Sequence, residues 1–251
     1  MGGEEDMSGD VQRHYDDLLA AHYSWMNALS FDEKVAEQRA FLLELGVEVR
    51  SSAVDLGCGP GYQTIALDAM GFRTILAIDT SRNLLDELEG HRGSRRSIRT
   101  ELADMRRFPK LVEDASVDTI ICMGDTLTHL DDRRDVSTLF RDAHACLRSG
   151  GQLALTFRDL SMELTGLDRF LPVRADDGRI MICALDYEEE RVVVNDLIHI
   201  RSGDGWTLHK SSYRKLRLKP SGLVAELEGL GFAIEQDRPS GRMHAIVARK
   251  A

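Results

Sequence analysis

The stretch Val54-Asp55-Leu56-Gly57-Cys58-Gly59-Pro60-Gly61 decides how this chain is read. A short apolar run, Ala53 to Leu56, enters three closely spaced glycines, and from Gln63 to Met70 apolar residues recur at helical spacing. A strand that turns through glycines into a helix puts the turn at the carboxyl edge of a parallel sheet, where open α/β sheets bind ligands. Glycines serve there because a side chain would obstruct a nucleoside and would strain any residue with positive φ. The spacing departs from the dinucleotide fingerprint Gly-x-Gly-x-x-Gly: Gly57, Gly59 and Gly61 alternate, and bulky Tyr62 stands where the third glycine belongs. Asp55 adds a carboxylate that would repel a pyrophosphate and suits a nucleoside ligand with positive charge at its far end. Asp55, Gly57, Cys58, Gly59 and Gly61 are the first candidates for contact with such a ligand.

Outward from the loop, strands and helices alternate. Thr74 to Ile78 reads as a strand, Ser81 to Leu88 as a helix with Ser81 at its N-cap, and a third strand is expected before Leu102. Asp118 to Met123 suits a buried strand, Asp135 to Leu147 an amphipathic helix, and Gly151 to Phe157 a strand after a Gly-Gly turn. This alternation implies an α/β, Rossmann-like fold with a mostly parallel sheet. Two helices, Val11 to Leu29 and Phe31 to Leu45, precede the first strand. Further on, Ile180 to Leu185, Arg191 to Arg201 and Trp206 to Leu218 read as strands joined by polar turns, a small antiparallel subdomain. Leu223 to Leu230 returns to helix, and Phe232 to Gln236 and His244 to Arg249 supply closing strands. A single domain is expected: residues 1–10 disordered, 11–50 a helical lid, 51–160 the ligand-binding core, 161–218 the antiparallel insertion, and 219–251 the closing helix and strands.

Composition narrows the partners. With 251 residues, 43% of them hydrophobic, the chain can bury a sizeable core. A net charge of -10 leaves no broad basic surface, so nucleic acid is not an expected partner, and the basic runs at 92–99 and 214–219 read as solvated faces. Cys58, Cys122, Cys146 and Cys183 fit no zinc or redox spacing, so reduced thiols and no metal site are expected. The acidic start lacks the apolar core of a signal peptide and no apolar run is long enough to span a bilayer. A cytoplasmic protein acting on a small molecule is the resulting expectation, with a homo-oligomer left open.

Two more carboxylates stand at successive strand ends. Asp79, followed by Thr80, closes the second strand at the separation expected for an acceptor of ribose hydroxyl hydrogen bonds. Asp104 follows the third, where it would receive an adenine amino group while Met105 packs on the ring. Each alone reads more readily as a surface or capping residue, and the three acids on one edge carry the signal jointly.

These residues resemble the class I S-adenosylmethionine-dependent methyltransferases, from about Tyr15 to Arg249. The resemblance implies a seven-stranded sheet whose last strand is antiparallel, S-adenosyl-L-methionine as cofactor and S-adenosyl-L-homocysteine as product. Ile121 to Leu130 is similar to the fourth-strand motif of glycine N-methyltransferase-like enzymes, with Asp125 in place of an asparagine. By that likeness Met123, Gly124, Thr126 and His129 line the cofactor and Asp125 faces the acceptor. Tyr15, Trp25 and Lys34 would cover the cofactor's methionine end, and Arg158 would hold a substrate carboxylate. Tyr187, His199 and Tyr213 are weaker candidates for an acceptor pocket, since aromatics at alternating strand positions usually pack.

The implied activity is direct methyl transfer to an amine or hydroxyl of a small acceptor that can bear a carboxylate. Such a displacement needs alignment and exclusion of water rather than a covalent catalyst. Asp125 and His129 are the groups placed to take a proton, with lining the site the preferred role for His129. For Arg158, a salt bridge to Asp159 or a neighbouring helix competes equally with binding a carboxylate. The alternatives are a sensor or scaffold that binds the cofactor without catalysis, and an NAD-dependent oxidoreductase, against which Tyr62 stands.

Overall fold

The computed structural model describes residue 11 and residues 13–251. The disorder expected of residues 1–10 lies outside the described residues. A π-helical turn over Tyr15–Leu19 leads into α1 (Ala20–Met26), and α2 (Phe31–Glu44) follows, started by a capping box in which Ser30 and Glu33 satisfy each other's backbone N–H groups. The first helix thus ends three residues earlier than the apolar pattern predicts.

Then β1 (Ser52–Leu56), α3 (Tyr62–Met70), β2 (Thr74–Asp79), α4 (Arg82–Arg92) and β3 (Ile98–Leu102) alternate as expected. Ser81 caps α4 by accepting from the Leu84 N–H. β4 (Val117–Cys122), α5 (Arg133–Cys146) and β5 (Leu147–Phe157) continue the series, with the Asp132 carboxylate capping α5 two residues ahead of its predicted start.

Next come four antiparallel strands, β6 (Phe170–Ala175), β7 (Arg179–Tyr187), β8 (Arg191–Ser202) and β9 (Gly205–Leu216), paired in that order. The sequence pattern reveals only the last three. Pro172 hides β6, since proline cannot donate to a ladder and is confined to edges, and β6 is an edge whose register shifts between Pro172 and Arg174. α6 (Pro220–Gly229), β10 (Phe232–Ser240) and β11 (Met243–Lys250) complete the chain.

The larger sheet has seven strands in the order β10-β11-β5-β4-β1-β2-β3, and β11 runs antiparallel to both its neighbours. Helices cover both faces. On one, Phe140 and Leu139 of α5 and Leu223 and Leu227 of α6 pack on Ile120, Leu153 and Ile246. On the other, Leu42 of α2, Ile65 of α3 and Leu85 and Leu88 of α4 pack on Ala53, Ile75 and Ile121. Because both faces are covered, β4 is buried at every position, as a central parallel strand requires.

The smaller sheet has a different cover. Leu18 and Leu19 of the N-terminal segment pack on Met181 and Ile198 of its inner face. The N-terminal segment therefore lies on the antiparallel sheet, and its Tyr23 approaches Gly59 of the loop after β1. All four cysteines are buried and unpaired. No helix among the described residues is long and apolar enough to cross a membrane.

Candidate functional site

The glycine loop is held by the strand beside it. The N–H groups of Gly57 and Cys58 both donate to Ile78 O, at 2.8 and 3.0 Å, and the Gly59 N–H donates to Asp79 Oδ2 at 2.8 Å. Asp79 Oδ1 accepts from Ser81 N at 2.8 Å, so this one carboxylate ties the loop to the start of α4. Gly57 has φ +69°, and a Cβ there would lie 2.1 Å from Thr126 Cγ2. The loop after β4 thus seats directly on the loop after β1, and only glycine permits it.

A narrow cleft of about 80 Å³ opens above these loops. Gly57, Gly59, Asp79 and Thr80 form its floor, Ile78, Leu84, Ala103 and Met105 an apolar slot, and Tyr15, Tyr23, Thr126 and His129 its far wall. The slot suits a flat base and Asp79 a sugar diol, so the residues present fit an adenosine. Beside it a wider cleft of about 650 Å³ carries Lys34, Cys58, Met123, Gly124 and Thr126 on its walls, where Lys34 is paired with Glu37 at 2.5 Å.

Four predicted contacts stand elsewhere: Gly61 borders none of these clefts, and a Cβ on it would lie 2.2 Å from Leu88 Cδ1 of α4. Asp55 is 1% exposed beneath the loop and accepts from Thr64 Oγ1 at 2.6 Å. Burial, only partly offset by that hydrogen bond, lifts its carboxyl to about 7. It borders none of these clefts and supports the loop from below. Asp104 is engaged by Arg106, which also holds Asp131 and Asp135 at 2.8 and 3.0 Å, so its carboxylate braces the turn after β3 while neighbouring Met105 reaches the slot. Trp25 points away from the cofactor cleft: its indole N–H donates to Asp176 Oδ2 at 2.6 Å, and Arg174 and Arg179 lie over its ring. Tyr23 is the aromatic of this segment nearest the glycine loop, with its Cε1 3.9 Å from the position of a Cβ on Gly59.

A second cavity, of about 280 Å³, lies between the two sheets. Asp125, His129 and Arg158, the three residues expected to serve chemistry, all border it, together with Tyr213, Asp196 and Lys215 from the antiparallel sheet. Asp125 is the hub. Its Oδ1 accepts from the Arg158 backbone N–H at 2.9 Å and from Thr128 Oγ1 at 3.2 Å, and its Oδ2 pairs with the Lys215 ammonium and lies 3.5 Å from Arg158 Nε. Burial would raise this carboxyl, but the Lys215 and Arg158 charges more than offset it and hold it below the usual carboxylate range. Asp125 is therefore ionised, with most of its lone pairs in use.

His129 is driven the other way. Burial first, then the Lys215 charge, lowers it to about 3, so the imidazole is neutral near pH 7. Its ring lies 5.4 Å from that of Tyr213 and 5.8 Å from that of Tyr15, and its Nδ1 has no hydrogen-bond partner among the described residues. Tyr187 and His199 do not border this cavity.

Lys215 and Asp196 were missed by the sequence reading, although a signal existed. Tyr213 and Lys215 alternate with exposed or half-buried residues along β9, and Asp196 interrupts the apolar alternation Val192, Val194, Ile198 along β8. A charge on the buried phase of a strand marks a partner, whereas the run at 214–219 reads in the sequence alone as a solvated face.

The relatives agree with this architecture. Residues 53–151, from β1 into β5, match the family described as methyltransferase domain. A glycine/sarcosine N-methyltransferase of Parasynechococcus marenigrum (strain WH8102) is 26% identical over 165 residues, 65% of this chain and 57% of that protein. Across the curated relatives it matches, the chain spans about half their length. The CcbJ methyltransferase from Streptomyces caelestis superposes with a TM-score of 0.75 at 18% identity, covering 94% of this chain and 98% of that one. CalS10, an amino pentose methyltransferase from Micromonospora echinaspora, does so with a TM-score of 0.68 at 17% identity, over 92% and 95% of the two chains.

Residues 53–151 thus resemble a methyltransferase domain, in a chain with the fold of class I S-adenosylmethionine-dependent methyltransferases. S-adenosylmethionine is the cofactor of that class.

Proposed function

We propose that the protein transfers the methyl group of S-adenosylmethionine to a nitrogen or oxygen nucleophile of a compact small molecule bound between the two sheets, leaving S-adenosylhomocysteine. One observation carries this reading: Tyr23 and Thr126 border the narrow cleft, the wider cleft beside it and the cavity between the sheets alike. A cofactor lying along the loops after β1 and β4 therefore presents its far end to that cavity.

The cofactor supplies a methyl carbon already activated by its sulfonium. This chain's residues have the task of orientation. Tyr15 and Tyr23, half-buried, narrow the access of water to the junction, and burial pushes the Tyr23 hydroxyl up to about 12, so it stays protonated. Asp125 holds Lys215 and Arg158 against the cavity wall, where their N–H groups meet hydroxyl or carboxylate oxygens of an acceptor. Neutral His129 offers a ring nitrogen to the nucleophile. Holding reactants at attack distance in this way supplies on the order of 7–11 kcal/mol of a displacement barrier.

The test is incubation of the protein with methyl-labelled S-adenosylmethionine and a panel of amino acids, amino sugars and their hydroxy analogues, read by mass spectrometry. Label on at least one acceptor, with matching S-adenosylhomocysteine, is expected. Cofactor binding without label on any acceptor would leave a sensor, and binding of NAD in place of the cofactor would sink the reading.

A further inference from the structure

The inner face of the antiparallel sheet is apolar along most of its length. Met181 and Ile198 meet the lid residues Leu18 and Leu19, and Leu185, Val192 and Val194 form a second patch. Asp196 interrupts this face. It is 3% exposed, on the wall of the cavity between the sheets, and its Oδ2 pairs with His14 Nε2 at 3.0 Å. His14 stands behind it, 1% exposed, with its ring 4.2 Å from that of Tyr213.

A tie between lid and sheet needs no charge, because Leu18 and Leu19 already make one, and apolar pairs do so without the cost of stripping a carboxylate of water. A carboxylate set on a cavity wall calls for a ligand of opposite charge. Of the cations on the wall, Lys215 and Arg158 converge on Asp125, and neither they nor Arg242 forms an ion pair with Asp196, whose one ion pair among the described residues is with His14. The wall therefore has a cationic end at the loop after β4 and an anionic one at Asp196.

Resting on the methyltransferase reading above, we infer that Asp196 selects acceptors that bear an amino group, and that His14 is the positioning residue that fixes its carboxylate. In the displacement the amine lone pair forms the N–C bond as the C–S bond breaks, and the bonding pair leaves with sulfur as a neutral thioether. Positive charge passes from sulfur to the accepting nitrogen. A fixed carboxylate near that nitrogen favours the bound amine and stabilises the charge as it arrives, which it would do far less for a hydroxyl. An amine that binds as its ammonium first gives up one proton to solvent, which frees the lone pair, and the methylated product leaves as the ammonium.

Cyclohexylamine and cyclohexanol, equal in ring size and small enough for a cavity of about 280 Å³, are the probes. Calorimetric titration of the full chain, with and without saturating S-adenosylhomocysteine, should show the amine favoured by about tenfold or more, as for a hydrogen bond between charged groups. Asp196→Asn, which keeps the size of the side chain, should erase that preference while S-adenosylhomocysteine affinity stays within about twofold. His14→Gln, which can still donate to the carboxylate, should retain the preference, and His14→Leu should lose it. Undiminished preference in Asp196→Asn, or none in the wild type, overturns the assignment. Failure of the wild type to bind S-adenosylhomocysteine counts against the cofactor reading instead, and the titration without it still reports on Asp196.

Discussion

The two sheets of this protein hold their polar groups by different means. At the carboxyl edge of the seven-stranded sheet, the loop is fixed by neighbours near in sequence. Gly57 and Cys58 donate to Ile78, and Gly59 donates to a carboxylate 20 residues on. On the antiparallel sheet the ties are charged side chains far apart in the chain, Asp125 with Lys215 at a separation of 90 residues and His14 with Asp196 at 182. Backbone geometry shapes the first site, and side-chain charge the second. The first kind of site leaves a compact motif in the sequence, and the second leaves scattered residues.

The contrast is tested most severely at Lys215. Lys215→Met should cost about 3 kcal/mol of stability at neutral pH, measured by urea unfolding, because it leaves the buried Asp125 carboxylate with Arg158 alone. The sign with pH follows from the lowered Asp125 carboxyl. In the wild type this pair contributes stability above the unfolded carboxyl value of about 4, and loses it as pH falls through the lower folded value. In the variant burial is no longer offset by the Lys215 charge, the carboxyl rises, and its stabilising contribution at neutral pH shrinks. A variant as stable as the wild type at pH 7 would show that Asp125 needs no cation from the second sheet.

A smaller loss is expected at Gly57. Gly57→Ala places a methyl group against Thr126 at a residue with φ +69°, and should weaken S-adenosylmethionine binding by about 2 kcal/mol through strain and overpacking. Gly57→Ala combined with Thr126→Ser, which removes the clashing Cγ2, should recover part of it. No recovery would place the whole effect in the backbone.

The smallest effect expected is at Asp79. Asp79→Asn keeps one acceptor oxygen for Gly59 N–H and should weaken cofactor binding by about 1 kcal/mol, with acceptor KM unchanged. A shift in acceptor KM with no change in cofactor affinity would invert the division of labour between the sheets.

Legibility follows the same division. The glycine loop, the alternating core and the closing strands are local patterns, and β1 to β5 lie within a few residues of where periodicity puts them. Asp125, His129 and Arg158, given separate roles by the resemblance, border one cavity. Asp55, Asp104 and Trp25 show the limit: each stands at the right place in the chain, yet Thr64, Arg106 and Asp176 claim their polar atoms, and no local pattern reports such partners. Strand β6 is concealed by Pro172, and Lys215 on the cavity wall by a charge run whose inward phase is set only when β9 pairs with β8.

The position of β11 bears on how the protein is made. Residues 243–250 lie between β5 and β10, so the sheet remains split while the ribosome is still synthesising them. Until that strand emerges, β5 presents an open edge and β10 has no neighbour, and the nascent chain carries an unpaired hydrophobic strand border of the kind that chaperones shield. A ribosome stalled before residue 243 would hold a chain whose glycine loop is already translated but whose sheet cannot close.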